Sequence, residues 1–185
     1  MLYRLTFFAL SMMWMVGGPV QAQSGSAPPG AANPVSAGAT MPAKTPWRAL
    51  EELSGSWAVS DPRSDAEKAF RIEMRAISKG SALVETFGNP RGNTTHTVYH
   101  HAGKDIMATH YCSQGNQPRL LLAPDSTSGA LSFRFHDVTN LKNKDASHLV
   151  QIDFKVIDRN HLERRETYTQ NGILEETTLR LKRLP

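Results

Sequence analysis

A two-residue alternation of apolar and polar side chains runs through most of this chain. Val150, Ile152, Phe154 and Val156, for example, would share one face of a strand, with polar residues between them on the other. Short links rich in Gly, Asn and Pro separate the alternating segments, as they do in hairpins. The pattern predicts an antiparallel meander with strands near residues 70–76, 82–87, 94–101, 106–112, 120–123, 131–137, 149–157, 161–169 and 173–184.

A first strand near Trp57 brings the meander to about ten strands. The two outermost strands would each leave unpaired backbone N–H and C=O groups that could pair with other chains. Closure into a ring removes both edges, so the sequence predicts an all-β, up-and-down antiparallel barrel of about 8–10 strands. A β-sandwich is the alternative. A short helix over residues 46–53 should precede the barrel, with Thr45 as its N-cap and Gly55 just past its end. Eight strands leave room for side chains or one small ligand, and ten leave more.

The first 44 residues differ in composition from the rest. Residues 1–22 have the parts of a secretory signal peptide: a basic start, an apolar run, and a small-x-small cleavage site near Ala22. The apolar run is about half of the roughly 20 residues that span a bilayer, so we expect no stable membrane span after cleavage. Residues 23–44, rich in Pro, Gly, Ser and Ala, indicate a disordered tether. Residues 45–185 form the predicted barrel domain of a periplasmic or secreted protein.

Charge and cysteine content narrow the function classes. The formal net charge is +4, and the basic residues are interspersed with acidic ones without the aromatic interleaving of single-strand binders, so we expect no nucleic-acid partner. A single cysteine, Cys112, cannot form an internal disulfide. It is therefore either a buried, inert thiol or a reactive one.

One eleven-residue segment, THYCSQGNQPR, concentrates the residues that could carry chemistry. His110 and Cys112 lie two apart on a predicted strand, about 7 Å along it and on one face, and Tyr111 lies on the other. A turn then leads to Asn116 and Arg119, which could satisfy backbone groups or bind a ligand head group, Arg119 through a bidentate carboxylate contact.

Three interpretations of the cysteine and histidine pair remain open. Cys112 could be a buried thiol beside a hydrogen-bonded His110. It could also be a thiolate with His110 as its base, although no third, orienting group is evident. Ligation of a transition metal or haem is the third. No Cys-x2-Cys or His-Glu-x2-His spacing supports it, so the sequence predicts no metal and no cofactor.

Charged residues fall on positions that alternation assigns to the barrel interior. If Leu162 and Tyr168 point inward, Arg164 and Glu166 point inward with them. Glu85 likewise shares a face with apolar neighbours. Charged side chains are rarely buried unless they are paired, so these residues indicate either a polar-lined cavity or a face that is simply solvated.

The helix followed by Gly55-Ser56-Trp57 resembles the opening of lipocalins and the wider calycin barrels. The resemblance implies that Trp57 plugs the closed end of the barrel and packs against an arginine of a late strand. Arg180 and Arg183 are the candidates, and Arg180 is the residue we predict.

A second resemblance rests on four short stretches, 80–86, 97–100, 109–112 and 115–119. They are similar to stretches of uncharacterised exported bacterial proteins with a lipocalin-like domain. This resemblance implies the fold and no particular activity.

These observations together predict a periplasmic lipocalin-like protein that binds a small hydrophobic or amphipathic ligand in the barrel, where pockets combine apolar walls with a few polar groups. One alternative is an enzyme on the same barrel, an isomerase or hydrolase of a lipid-like substrate, with His110 as base and Cys112 or Glu85 assisting. The other is an envelope interaction module without a cavity. The predicted ligand contacts are Glu85, Tyr99, His110, Tyr111, Cys112, Asn116 and Arg119.

Overall fold

The computed structural model describes residues 44–185. The predicted signal peptide and the predicted tether up to residue 43 lie outside the described residues, so these two predictions stay untested. Within residues 44–185, no helix is both long enough and apolar enough to cross a bilayer.

Ten strands and two short α-helices make up this part of the chain. The helices are α1 (Pro46–Glu51) and α2 (Asp65–Ala69), and a 3-10 turn covers Ser78–Gly80. The strands are β1 (Gly55–Val59), β2 (Arg71–Ile77), β3 (Ala82–Gly88), β4 (Thr94–Ala102), β5 (Asp105–Tyr111), β6 (Gln117–Leu122), β7 (Ala130–Thr139), β8 (His148–Val156), β9 (His161–Gln170) and β10 (Ile173–Arg183).

The strands form a closed antiparallel barrel in which sequence neighbours are hydrogen-bonded neighbours, and β1 pairs with β10 to complete the ring. The predicted up-and-down barrel is therefore confirmed, with ten strands, and the sandwich alternative is wrong. The closing seam is narrow: β1 and β10 pair over three residues, whereas β9 and β10 pair over ten.

The two α-helices have capped N-termini. Thr45 Oγ1 accepts a hydrogen bond from the backbone N–H of Arg48, and Pro46 occupies the first turn of α1, as predicted. The helix α2 was not predicted. Ser64 caps it by accepting from the N–H of Glu67, but five residues are too few to show a helical period.

The plug at the closed end involves Gly55, Trp57 and Arg183. Trp57 is 1% exposed, donates through Nε1 to the carbonyl of Leu53, and lies beneath the Arg183 guanidinium, 4.2 Å from ring centroid to Cζ. Gly55 has φ +130°, and a Cβ there would lie 2.7 Å from an Arg183 nitrogen. The prediction of Arg180 is wrong because the register sets Arg183 opposite Trp57, while Arg180 is 80% exposed and bonds Glu163.

The barrel interior differs between its two ends. Towards the closed end, which carries α1, inward side chains such as Trp57, Leu83, Leu131 and Leu181 are at most 1% exposed. At the opposite, open end, the links 112–116 and 140–147 are joined where Asn116 Nδ2 donates to the Ser147 carbonyl (2.9 Å). On the β2, β3, β9 and β10 side of this end, five inward-facing residues are only partly buried, and we call them the open-end patch: Phe70, Phe87, Glu166, Tyr168 and Leu179.

Candidate functional site

A buried ion pair crosses the barrel directly below the open-end patch. Glu85 on β3 and Arg164 on β9 are 0% and 1% exposed, and Glu85 Oε1 lies 2.8 Å from Arg164 Nη2. The hydroxyl of Tyr99, on β4, donates to Glu85 Oε2 over 2.6 Å. Burial, followed by the negative charge of Glu85, raises the pKa of Tyr99 well above its ordinary value, so Tyr99 remains a proton donor to the carboxylate.

Arg164 links this pair to the open end. Its Nη1 donates to Glu166 Oε2 over 2.8 Å, and its guanidinium lies 4.4 Å from the centroid of the Phe87 ring. Burial acts to lower the pKa of Arg164, but Glu85 and Glu166 outweigh burial and raise it, so the guanidinium stays charged. Nη2 contacts Glu85 without hydrogen-bond alignment, and the buried Nε has no acceptor within residues 44–185.

His110 lies beside this ion pair, is uncharged, and connects Thr97 to Tyr168. Its Nδ1 is 2.9 Å from Thr97 Oγ1, and its Nε2 is 3.2 Å from the Tyr168 hydroxyl. Burial, with a smaller contribution from the charge of Arg164, lowers the pKa of His110 from 6.5 to about 4. Burial, followed by the charge of Glu166, raises the pKa of Tyr168. Both groups are therefore neutral at neutral pH.

Cys112 follows β5 and is half-buried. Its sulfur accepts a weak hydrogen bond from the backbone N–H of Gln114 at 3.5 Å. Among the hydrogen bonds of residues 44–185, none joins Cys112 to His110, because the histidine nitrogens are occupied by Thr97 and Tyr168. The structure therefore places the two predicted partners near one end of the barrel without forming a thiol–imidazole pair.

Three other predicted contacts do not reach the interior charges. Tyr111 is 50% exposed, as its position opposite His110 on the strand requires. Arg119 forms a two-pronged ion pair with Asp137 of the adjacent strand, and this pairing raises its pKa. The Asn116 side chain is bonded to Ser147 and holds two links together. Arg119 and Asn116 therefore have structural partners where a ligand had been predicted, and Tyr111 is exposed outside the barrel.

Pockets and metal-ligand geometry add two observations. Among residues 44–185, five pockets of about 370 to 810 Å³ open at the surface, and none of these five is lined by Glu85, Tyr99 or His110. Leu179 of the open-end patch lines one of them, beside the link between β1 and β2. The same part of the chain contains no group of three His, Cys, Asp or Glu side chains that could hold a metal ion.

Four residues of the site were absent from the predicted contacts: Thr97, Arg164, Glu166 and Tyr168. The alternation did assign Arg164, Glu166 and Tyr168 to the inward face. The burial of Arg164, with Glu166 bonded to it, shows a polar layer inside the barrel and not a solvated face. Nothing in the sequence distinguished Thr97 from other strand threonines.

Comparisons with known proteins do not assign the chain to a family. Neither a scan against protein-family models nor a search of curated proteins finds a match for the chain. The closed ten-stranded barrel is consistent with a lipocalin-like fold.

Proposed function

We propose that this protein is an exported, periplasmic or secreted binding protein that takes up a small, largely apolar molecule with a polar head group at the open end of its barrel. One observation carries the proposal. Inward-facing apolar side chains stay partly exposed at this end, directly above a buried charged layer, whereas the apolar side chains beyond that layer are buried. Apolar walls with a few convergent polar groups are typical of small-molecule sites.

The open-end patch supplies both parts of such a site. The Phe70 and Phe87 rings meet edge to face with centroids 4.7 Å apart, and Leu179 adds apolar surface from β10, which is separated from β2 by β1. Arg164 and Glu166 supply the polar groups. A hydrophobic tail would pack against the rings while the head group meets the charged layer. These residues replace Tyr111, Asn116 and Arg119 as the expected ligand contacts.

The enzyme alternative has less geometric support. A general base needs a free lone pair near the substrate, and the two His110 nitrogens already contact Thr97 and Tyr168. The interaction-module alternative draws some support from the buried interior of the barrel, where Phe133 and Ile152 are 0% exposed. That alternative expects no uptake of small apolar molecules.

A fluorescent probe distinguishes these functions. We expect N-phenyl-1-naphthylamine, a neutral apolar dye, to bind the purified protein saturably with a rise in emission. The variant Leu179→Glu places a charge in the open-end patch and should weaken binding by about tenfold or more, since burying a leucine side chain stabilises by roughly 1.5–3 kcal/mol. Leu174→Glu is the matched control, because Leu174 lies on the same strand and is 64% exposed.

The absence of saturable dye binding would refute the proposal, as would equal loss in the two variants. Native mass spectrometry of protein purified without detergent gives a second readout. An added discrete mass that is lost in Leu179→Glu and kept in Leu174→Glu would identify the class of the natural ligand.

A further inference from the structure

The charged layer below the open-end patch has an unbalanced formal charge. Arg164 is one cation between two carboxylates, with Glu85 Oε1 and Glu166 Oε2 each 2.8 Å from a guanidinium nitrogen. The three groups together carry a formal charge of −1. His110 does not compensate, because its pKa of about 4 keeps the imidazole neutral. A group that enters from the open end therefore meets an excess of negative charge.

The members of this layer are not equally accessible. The Glu85 side chain is 0% exposed and is held by Tyr99 and Arg164, whereas the Glu166 side chain retains 13% exposure towards the open end. Glu166 is therefore the carboxylate that an entering molecule reaches first. A carboxylate has about four acceptor positions, and Arg164 is the one hydrogen-bond donor to Glu166 among residues 44–185.

A donor in the same layer also lacks a partner. Arg164 Nε is buried and no acceptor is bonded to it within the described part of the chain, although unpaired buried donors cost free energy and are rare in folded proteins. The layer thus presents an unused N–H beside a carboxylate with spare acceptor positions. A hydroxyl or carboxamide satisfies both groups, since it accepts and donates hydrogen bonds. A carboxylate only accepts, and an ammonium only donates.

We propose that the open-end site selects ligands whose head group is a neutral hydroxyl or carboxamide, and that it discriminates against carboxylates. The selection arises because the Glu85–Arg164–Glu166 layer carries excess negative charge and contains a buried, unsatisfied donor beside the partly exposed carboxylate of Glu166, so that a group which both accepts and donates is the one that would satisfy both. This inference rests on the proposed binding function, and it excludes fatty acids as the preferred ligands.

The test is a displacement series with one chain length and three head groups. Decanol, decylamine and decanoate compete with N-phenyl-1-naphthylamine on the purified protein at pH 8 and low ionic strength. We expect decanol to displace the dye at the lowest concentration and decanoate to require at least tenfold more. Decanoate that competes as well as decanol would overturn the head-group assignment, and so would decylamine that competes better than decanol.

Two variants assign the selectivity to the charged layer. Glu166→Gln removes the accessible negative charge and should bring the concentration of decanoate that displaces the dye close to that of decanol. Glu163→Gln is the matched control on the same strand, because Glu163 contacts Lys155 and Arg180 on the outside and should leave the ratio unchanged. A ratio that is unaffected by Glu166→Gln would also overturn the inference.

Salt gives a readout that does not depend on either variant folding. Because Glu166 keeps only 13% exposure, raising the ionic strength should narrow the gap between decanol and decanoate modestly, and a gap that widens with salt would contradict a charge-based mechanism. The outcomes separate the two proposals. If the dye does not bind, the proposed function itself fails; if the dye binds and decanol does not displace it, only the head-group assignment fails.

Discussion

Acidification should destabilise this barrel through His110 well before its carboxylates titrate. The pKa of the histidine falls from 6.5 in an unfolded chain to about 4 in the fold, chiefly because the ring is buried. Between these values the unfolded chain binds a proton that the folded one does not, so the free energy of unfolding decreases as pH falls through this window. The full difference corresponds to about 3.5 kcal/mol, at about 1.4 kcal/mol per pKa unit, and about 2 kcal/mol of it is lost at pH 5.

The measurement is urea denaturation at pH 8 and pH 5, compared between the original protein and His110→Gln. The variant keeps an uncharged amide and should lose about 2 kcal/mol less than the original protein over this range, whatever its stability at pH 8. A carboxylate with a lowered pKa, such as Asp153, loses its stabilising effect only below its ordinary value of 3.8, so it contributes little above pH 5. Equal pH dependence in both proteins would refute the reasoning, as would an NMR titration of the His110 ring near 6.5.

Three further predictions concern other parts of the barrel. Gly55→Ala should lower the free energy of unfolding by about 2 kcal/mol, since φ is +130° and the new Cβ meets an arginine; Gly129→Ala, where a Cβ meets nothing within 4 Å, is the control in the same urea titration. Arg164→Met should cost about 3–5 kcal/mol because it strands buried carboxylates, and adding Glu85→Gln should recover part of the loss; a further loss of stability in the double variant would contradict the pairing. Cys112, half-buried at the end of a strand, should react with a thiol reagent without denaturant, and labelling that requires unfolding would show a closed site.

The fold followed from the sequence because local patterns determine it. Period-two alternation sets the faces of each strand, and a turn such as Asn171-Gly172, with φ of 51° and 73°, sets each hairpin. One face was misassigned. Val150 was predicted to share a face with Ile152, but a register shift between Leu149 and Gln151 buries Leu149 instead, and composition does not reveal an irregularity of this kind.

The site was predicted less completely, since its contacts join strands that are distant in the chain. The prediction placed Glu85, Tyr99 and His110 at the site, and all three are buried in or beside the charged layer. Arg164 could not be distinguished from a solvated strand residue until its partner on β3 was known. Arg119 was predicted as a ligand contact, but its partner Asp137 lies on the adjacent strand and holds it at the surface.

The closing seam has a consequence for the order in which the barrel folds. Arg183 donates to the carbonyl of Glu52, 131 positions earlier, whereas hairpins such as β9–β10 form from adjacent residues. Long loops carry an entropic cost before their contacts stabilise anything, so the seam should form after the rate-limiting step of folding. A weakened plug would then speed unfolding and leave the folding rate nearly unchanged. The seam would therefore determine the unfolding rate of the closed barrel, and the hairpins would determine its folding rate.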